Sequence, residues 1–198
     1  MKTMSVVRPV ITLGFSRFAT DITEMNAATR ENYYTLVKPN GNALKYNFPG
    51  LILSRGPVEP LTTHTRTLSG DTLQFQWNGQ SIPGAGQDNV SVLLFNANRM
   101  TMKFFRNIAQ RQDGTATLTV PTTWKHEEIY AYLLLERQGN WSNSTCAGTL
   151  PWPEQSRPSN PSNPSNPSQT TPSHSTSIPL HQSAVKLLFP SPQTRDHG

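Results

Sequence analysis

The run TLQFQW at residues 72–77 alternates without a break: Leu73, Phe75 and Trp77 on one side, Thr72, Gln74 and Gln76 on the other. A helix repeats every 3.6 residues and cannot gather that set on one face. A strand with one side buried requires it. The same period governs most of the next hundred residues. LILSR is short and apolar, VSVLLFNA is apolar enough to be central, and MKFFRNIA is a weaker strand. TATLTVP turns Ala116, Leu118 and Val120 inward, and IYAYLLLER is apolar on both faces, the mark of a strand covered on both sides. NSTCAGTL makes the seventh, with Ser and Thr outward and Cys146 and Ala147 on the packed face.

Gly, Pro, Asn and Asp clusters separate these runs: RGPVEP, NGQSIPGAGQDN, RQDG and RQGN. Seven short strands with regular turn signals, and no long helices between them, predict an antiparallel β-sandwich over residues 46–150 rather than a parallel α/β sheet.

Residues 1–45 read differently. Asp21 with Glu24 fits a helix N-terminus, DITEMNAATRENYYTLVK has no proline, and KPNGN stops it. The expectation is one helix across 21–37, with Ile22, Met25, Ala28 or Thr29, Tyr33 and Leu36 as its apolar stripe. The preceding VVRPVITLGF fits either a short helix or an extended arm.

From residue 151 to 198 the composition changes again. Prolines at 158, 161, 164 and 167 set an in-register P-S-N triplet, which favours polyproline II. With almost nothing to bury, this tail is expected to stay disordered and to act as a spacer. Its last apolar cluster, Leu187, Leu188 and Phe189, leaves open a docking segment or a terminus without a role.

The net charge of +5 is spread along the chain. Up to residue 150, fourteen Lys and Arg face ten Asp and Glu with no basic run of three, so nucleic acid is not the expected partner. Arg8 and Pro9 break the apolar stretch a signal peptide would need, and no run is long enough to span a bilayer. The cytoplasm is the default location, and the N-x-[ST] sequons at Asn89, Asn140 and Asn143 carry no expectation of glycosylation. The single Cys146 reads as a structural strand residue.

Three ordered stretches carry a resemblance. RPVITLGF, MNAATRENYYTLVK and YNFPGLILSRGPV, followed by Trp77, Asp88, VSVLLFN and AYLLLERQGNWSNSTCAG, resemble uncharacterised Bacteroidota proteins with a domain of unknown function. The likeness covers about residues 6–149. Members usually begin with a Gly-rich segment and end soon after the last strand, so this chain reads as a truncated or re-started copy with an added tail. Cys146 stands where an aromatic is commoner. The resemblance implies a sandwich of fibronectin type III or immunoglobulin-like character after a helical piece, and no activity.

A catalytic set is missing from the pattern. Of the histidines His64, His126, His174, His181 and His197, three lie in the tail, and KHEE lacks the second histidine of a zinc motif. Ser54-Arg55-Gly56 is no nucleophile elbow. GAGQDN opens a strand rather than a helix, which suits an inter-strand loop better than a phosphate cradle. Asp71 and Asp88 read as lone carboxylates, and Glu127 and Glu128 as pointing to opposite sides. No cofactor and no metal are expected. Trp124 and Trp141 fall in loops, either as exposed platforms for a partner or as plugs closing the sandwich ends. The expected function is a non-catalytic protein-interaction or structural module, with an unknown protein as partner. The alternative is a carbohydrate-binding module that stacks a glycan on Trp124 or Trp141.

Overall fold

The computed structural model of the protein describes residues 2–40, 43–79 and 83–152, so the expectations for the P-S-N tail lie outside the described residues. Two short helices open the chain, α1 (Lys2–Val6) and α2 (Arg8–Gly14), and α3 spans Glu24–Asn32. Pro9 sits in the first turn of α2, where its missing N–H costs nothing and its fixed φ suits a helix. The stretch left open by the sequence is therefore helical.

α3 is shorter than the expected 21–37, and its cap is Thr23 rather than Asp21. Thr23 is extended, and its Oγ1 accepts the Asn26 amide at 3.2 Å. At the other end Asn32 is fully buried and works as a strand partner would. Its Oδ1 accepts the Ile52 amide at 2.8 Å, and its Nδ2 donates to the Ile52 carbonyl at 2.8 Å. The apolar stripe is corrected too: Ala27, Ala28 and Leu36 are buried, whereas Ile22 and Tyr33 are exposed.

The chain then forms a hairpin, β1 (Val37–Asn40) with β2 (Ala43–Tyr46), where the sequence had suggested only a helix stop. Eight further strands follow: β3 (His64–Ser69), β4 (Thr72–Trp77), β5 (Asn89–Asn96), β6 (Thr101–Gln110), β7 (Thr115–Thr119), β8 (Ile129–Arg137), β9 (Asn140–Trp141) and β10 (Thr145–Thr149). They make two antiparallel sheets, β3-β4-β7 and β10-β8-β5-β6, with β9 also paired to β8. LILSR joins no ladder, because side chains rather than a neighbouring strand satisfy part of its backbone; β3 takes its place in the count.

The larger sheet is buried on both faces, as the unbroken apolar run of β8 implied. Ile129, Ala131, Leu133 and Leu135 join Val90, Val92 and Leu94 in a core completed by Leu73, Phe75, Trp77, Ala116 and Leu118 of the smaller sheet. The alternate residues Tyr130, Tyr132 and Leu134, with Leu93 and Phe95, pack against Val7, Val10, Ile11 and Phe15 of the helical segment and against Ala27 and Ala28. Each fully buried Leu or Phe contributes roughly 1.5–3 kcal/mol of transfer free energy. Neither face of β5 or β8 could be left bare. Cys146 and Ala147 do not share a packed face: Ala147 joins the inter-sheet core and Cys146 packs on the helical side, as successive strand residues must.

Candidate functional site

Both tryptophans singled out by the sequence are inside. Trp124 ends a 3-10 turn (Thr122–Trp124), is 7% exposed and packs into the inter-sheet core with Val120 and Leu150. Trp141 is 3% exposed in the helix-side core, with the Arg106 guanidinium 5.8 Å from its ring centre. Neither offers a free ring face to a sugar or a partner. Trp141 lies in β9 rather than in the loop expected for it, and Trp124 closes a 3-10 turn.

Two other residue groups are tied up structurally. Asp88 is no lone carboxylate. It accepts Arg111 Nε at 3.1 Å and Arg137 Nη2 at 2.9 Å, and a second short contact comes from Arg137 Nε. Glu127 accepts Arg99 Nε at 2.8 Å and an amide proton of Asn96. Among the described residues no group of three or more His, Cys, Asp or Glu could hold a metal ion.

A groove of about 410 Å³ opens between the hairpin and the start of β8. The hairpin register builds its rim. Lys38 faces Lys45 across the ladder, so the two ammonium groups stand on one side, while Val37 pairs with Tyr46 and Pro39 with Leu44 on the other. Tyr46 lies on Phe48 with ring centres 5.6 Å apart and planes 22° apart, and Phe48 leans on Phe95 and Tyr130 at 5.1 and 5.4 Å. The hydroxyl of Tyr130 donates to the Glu128 carboxylate. Burial first, and that carboxylate second, push the Tyr130 phenol far above its ordinary value, so it remains a donor. Asn47 lines the groove with its amide fixed by donation to the Thr35 carbonyl at 2.8 Å.

The hairpin is held to the sheet by Tyr132, whose hydroxyl donates to the Phe48 carbonyl at 2.7 Å. The groove residues were missed in the sequence because their spacing carries no motif. The usable signal was the Asn40-Gly41 dipeptide, a strong hairpin-turn signature between two short runs.

The large exposed apolar residues, among those described, are Phe18, Ile22, Tyr33, Tyr34, Leu44 and Tyr46. All fall between residues 18 and 46, outside the two large sheets. Leu44 is 76% exposed and Tyr34 78%.

The segments that carried the family likeness meet along one seam. Gly14 leaves room for the Leu53 carbonyl, since a Cβ there would lie 2.3 Å from that oxygen. Ser54 Oγ donates to the Ser142 carbonyl at 2.7 Å, and Ser144 Oγ accepts the Leu53 amide at 2.8 Å. Gly56 lies against the Trp141 carbonyl, 2.2 Å from where a Cβ would sit. These residues join the helical layer to the sheet.

Residues 1–147 match the model of a family of unknown function, DUF6266, and the protein belongs to that family. No curated protein matches the chain. Among the described residues no helix is long and apolar enough to cross a membrane.

Proposed function

We propose that the protein is a non-catalytic binding module: a sandwich of the fibronectin type III or immunoglobulin-like kind that offers its N-terminal hairpin to a partner protein. The sandwich reading rests on two antiparallel sheets sharing one core, with the chain passing between sheets at β4 to β5, β6 to β7 and β7 to β8. The observation that carries the docking reading is that, among the described residues, the exposed large apolar side chains are confined to residues 18–46. Leu44 and Tyr46 share one face of the hairpin, with Tyr33 and Tyr34 just ahead of β1. Tyrosine is among the residues enriched where interface energetics concentrate. Residues 37–46 hold two lysines and no acid, so the partner suited to them pairs an apolar face with carboxylates at its rim.

A photo-crosslinking amino acid at position 44, compared with one at the exposed Thr67 of β3, tests this in the native host. The expected result is a dominant adduct from position 44 only, whose purified partner loses at least about tenfold in affinity with Leu44→Asp, or about 1.4 kcal/mol. Equal labelling at both positions, or unchanged affinity of the purified partner for Leu44→Asp, overturns it.

A further inference from the structure

Resting on the docking reading of the hairpin and going one step beyond it, we infer that the partner is taken as an added β-strand. The occupant is an extended segment, alternating apolar and acidic residues, that pairs antiparallel with the free edge of β2.

The Asn47 amide donates to the Leu36 carbonyl at 2.7 Å, one register step beyond the pair Val37 and Tyr46. Hydrogen-bonded and non-hydrogen-bonded pairs alternate along an antiparallel ladder. Lys38 and Lys45 therefore exchange bonds, whereas Val37, Pro39, Leu44 and Tyr46 turn their backbone groups outward. Pro39 has no N–H to offer, so the outer edge of β1 is interrupted there. The outer edge of β2 is not. Leu44 and Tyr46 each present an N–H and a C=O, and among the described residues no backbone group pairs with them. All four residues of β2 are exposed. By contrast β6, the edge of the larger sheet, is broken by its register shift opposite Val90 and Val92, with Asn107 at a φ of 52°.

The two faces of β2 name the occupant. Leu44 and Tyr46 point to one side, where they line a recess of about 290 Å³ with Val37 and Lys45. Lys45 stands opposite Lys38 on the other side, and like charges paired across strands destabilise the pair. Neither lysine has a carboxylate within salt-bridge distance among the described residues. In a strand added along this edge, the residues opposite Leu44 and Tyr46 fall on the apolar face, and the residue between them falls opposite Lys45. An apolar, acidic, apolar sequence suits both faces at once, and its backbone answers the free groups of β2. A second copy of this chain does not suit them. Antiparallel pairing of β2 with β2 keeps like faces on one side and sets lysine pair beside lysine pair.

The same alternation supplies the test, an NMR titration of the full chain with capped peptides. One alternates valine and glutamate. Two more are that peptide N-methylated at the valines or at the glutamates, and a fourth alternates valine and lysine. Residues opposite Leu44 and Tyr46 are those whose N–H groups point at the protein, and in the binding register these are the valines. The expected result is saturable binding of the valine–glutamate peptide, with the largest amide shifts at residues 43–47. Methylating the valines should weaken it by about tenfold or more, and methylating the glutamates should leave it nearly intact. Lys45→Glu should weaken the glutamate peptide and strengthen the lysine peptide, each by about tenfold, a gain that a misfolded hairpin cannot produce. Absence of binding at millimolar concentration overturns the inference. So does an equal loss from both methylation patterns, and so does a Lys45→Glu variant that gains nothing for the lysine peptide. The crosslink from position 44 reads docking by itself, so an adduct formed alongside any of these failures removes strand addition and leaves the docking face standing.

Discussion

Arg111 Nε stands 3.1 Å from Asp88 Oδ2, and each side chain is only 1% exposed. The pair sits where the chain passes between sheets. Arg111 begins the 3-10 turn between β6 and β7, Asp88 ends the loop before β5, and the Arg111 backbone amide also donates to the Asp88 carbonyl at 2.8 Å. Trp77 Nε1 donates to the Arg111 carbonyl at 2.7 Å, which adds β4 to the joint. Removing one partner leaves the other charge buried. Asp88→Ala should therefore cost about 3–5 kcal/mol in urea unfolding. Arg137 reaches the same carboxylate from a position 44% exposed to water. Arg137→Gln should cost about 1 kcal/mol or less. Similar losses for the two variants would mean that burial of the inner pair is not what matters.

Tyr132 ties the hairpin segment to the sheet from inside the helix-side core, through the hydrogen bond from its hydroxyl to Phe48 O. Tyr132→Phe keeps the ring and removes this bond, leaving the Phe48 carbonyl with the Leu51 amide at 2.9 Å as its donor. A loss of about 0.5–1.5 kcal/mol is expected. Amide exchange near Phe48 should also quicken relative to β5. A stable variant with unchanged exchange there would show that packing alone holds the hairpin in place.

His64 faces inward from the edge strand β3, opposite Trp77. Burial holds it below its ordinary value of 6.5; the Leu61 carbonyl offsets this in part, and the Arg66 charge adds to it. A histidine depressed in the folded state binds its proton more readily when unfolded, so protonation favours unfolding. Its contribution to stability is complete above 6.5 and is lost as pH falls through the folded-state value. Unfolding free energy measured from pH 7.5 downward should drop through this window, and the drop should shrink in His64→Gln. An unchanged profile in the variant would assign the drop to other groups.

The parts of the fold legible in the sequence were those with a contrast between buried and solvated faces. Leu73, Phe75 and Trp77 declared their strand and their side, and the apolar β8 declared a strand covered twice. Strand β3 lacked that contrast: its inward residues are His64, Arg66 and Leu68, all only half-buried. The hairpin lacked it altogether, because all but one of its described residues are exposed. The groove was illegible for a further reason. Lys38, Lys45 and Tyr46 meet Glu128 and Tyr130 only after the hairpin docks on a strand more than eighty positions along the chain. For Trp124 and Trp141 the sequence left exposed platform and core plug both open, and only the packing, which buries both, distinguishes them.

The seam between helices and sheet gives the sharpest prediction, because backbone contact rather than side-chain chemistry makes it. At Gly14 the Leu53 carbonyl and the Ser54 Cβ would lie 2.3 and 2.6 Å from an added methyl, and Arg55 N donates to the Gly14 carbonyl at 3.1 Å. Backbone atoms cannot step aside as a flexible side chain would, so Gly14→Ala must lift α2 from residues 53–55. The cost should be about 1–3 kcal/mol, against the gain of a few tenths or more that alanine usually brings to a helix. Ser54→Ala removes the hydrogen bond to Ser142 O from a fully buried position and should cost about 1–3 kcal/mol. The two sites touch, so the double variant should lose less than the sum of the single losses. Losses that add fully would show that α2 and residues 141–144 grip the 51–58 segment independently, and that the seam is two separate contacts rather than one.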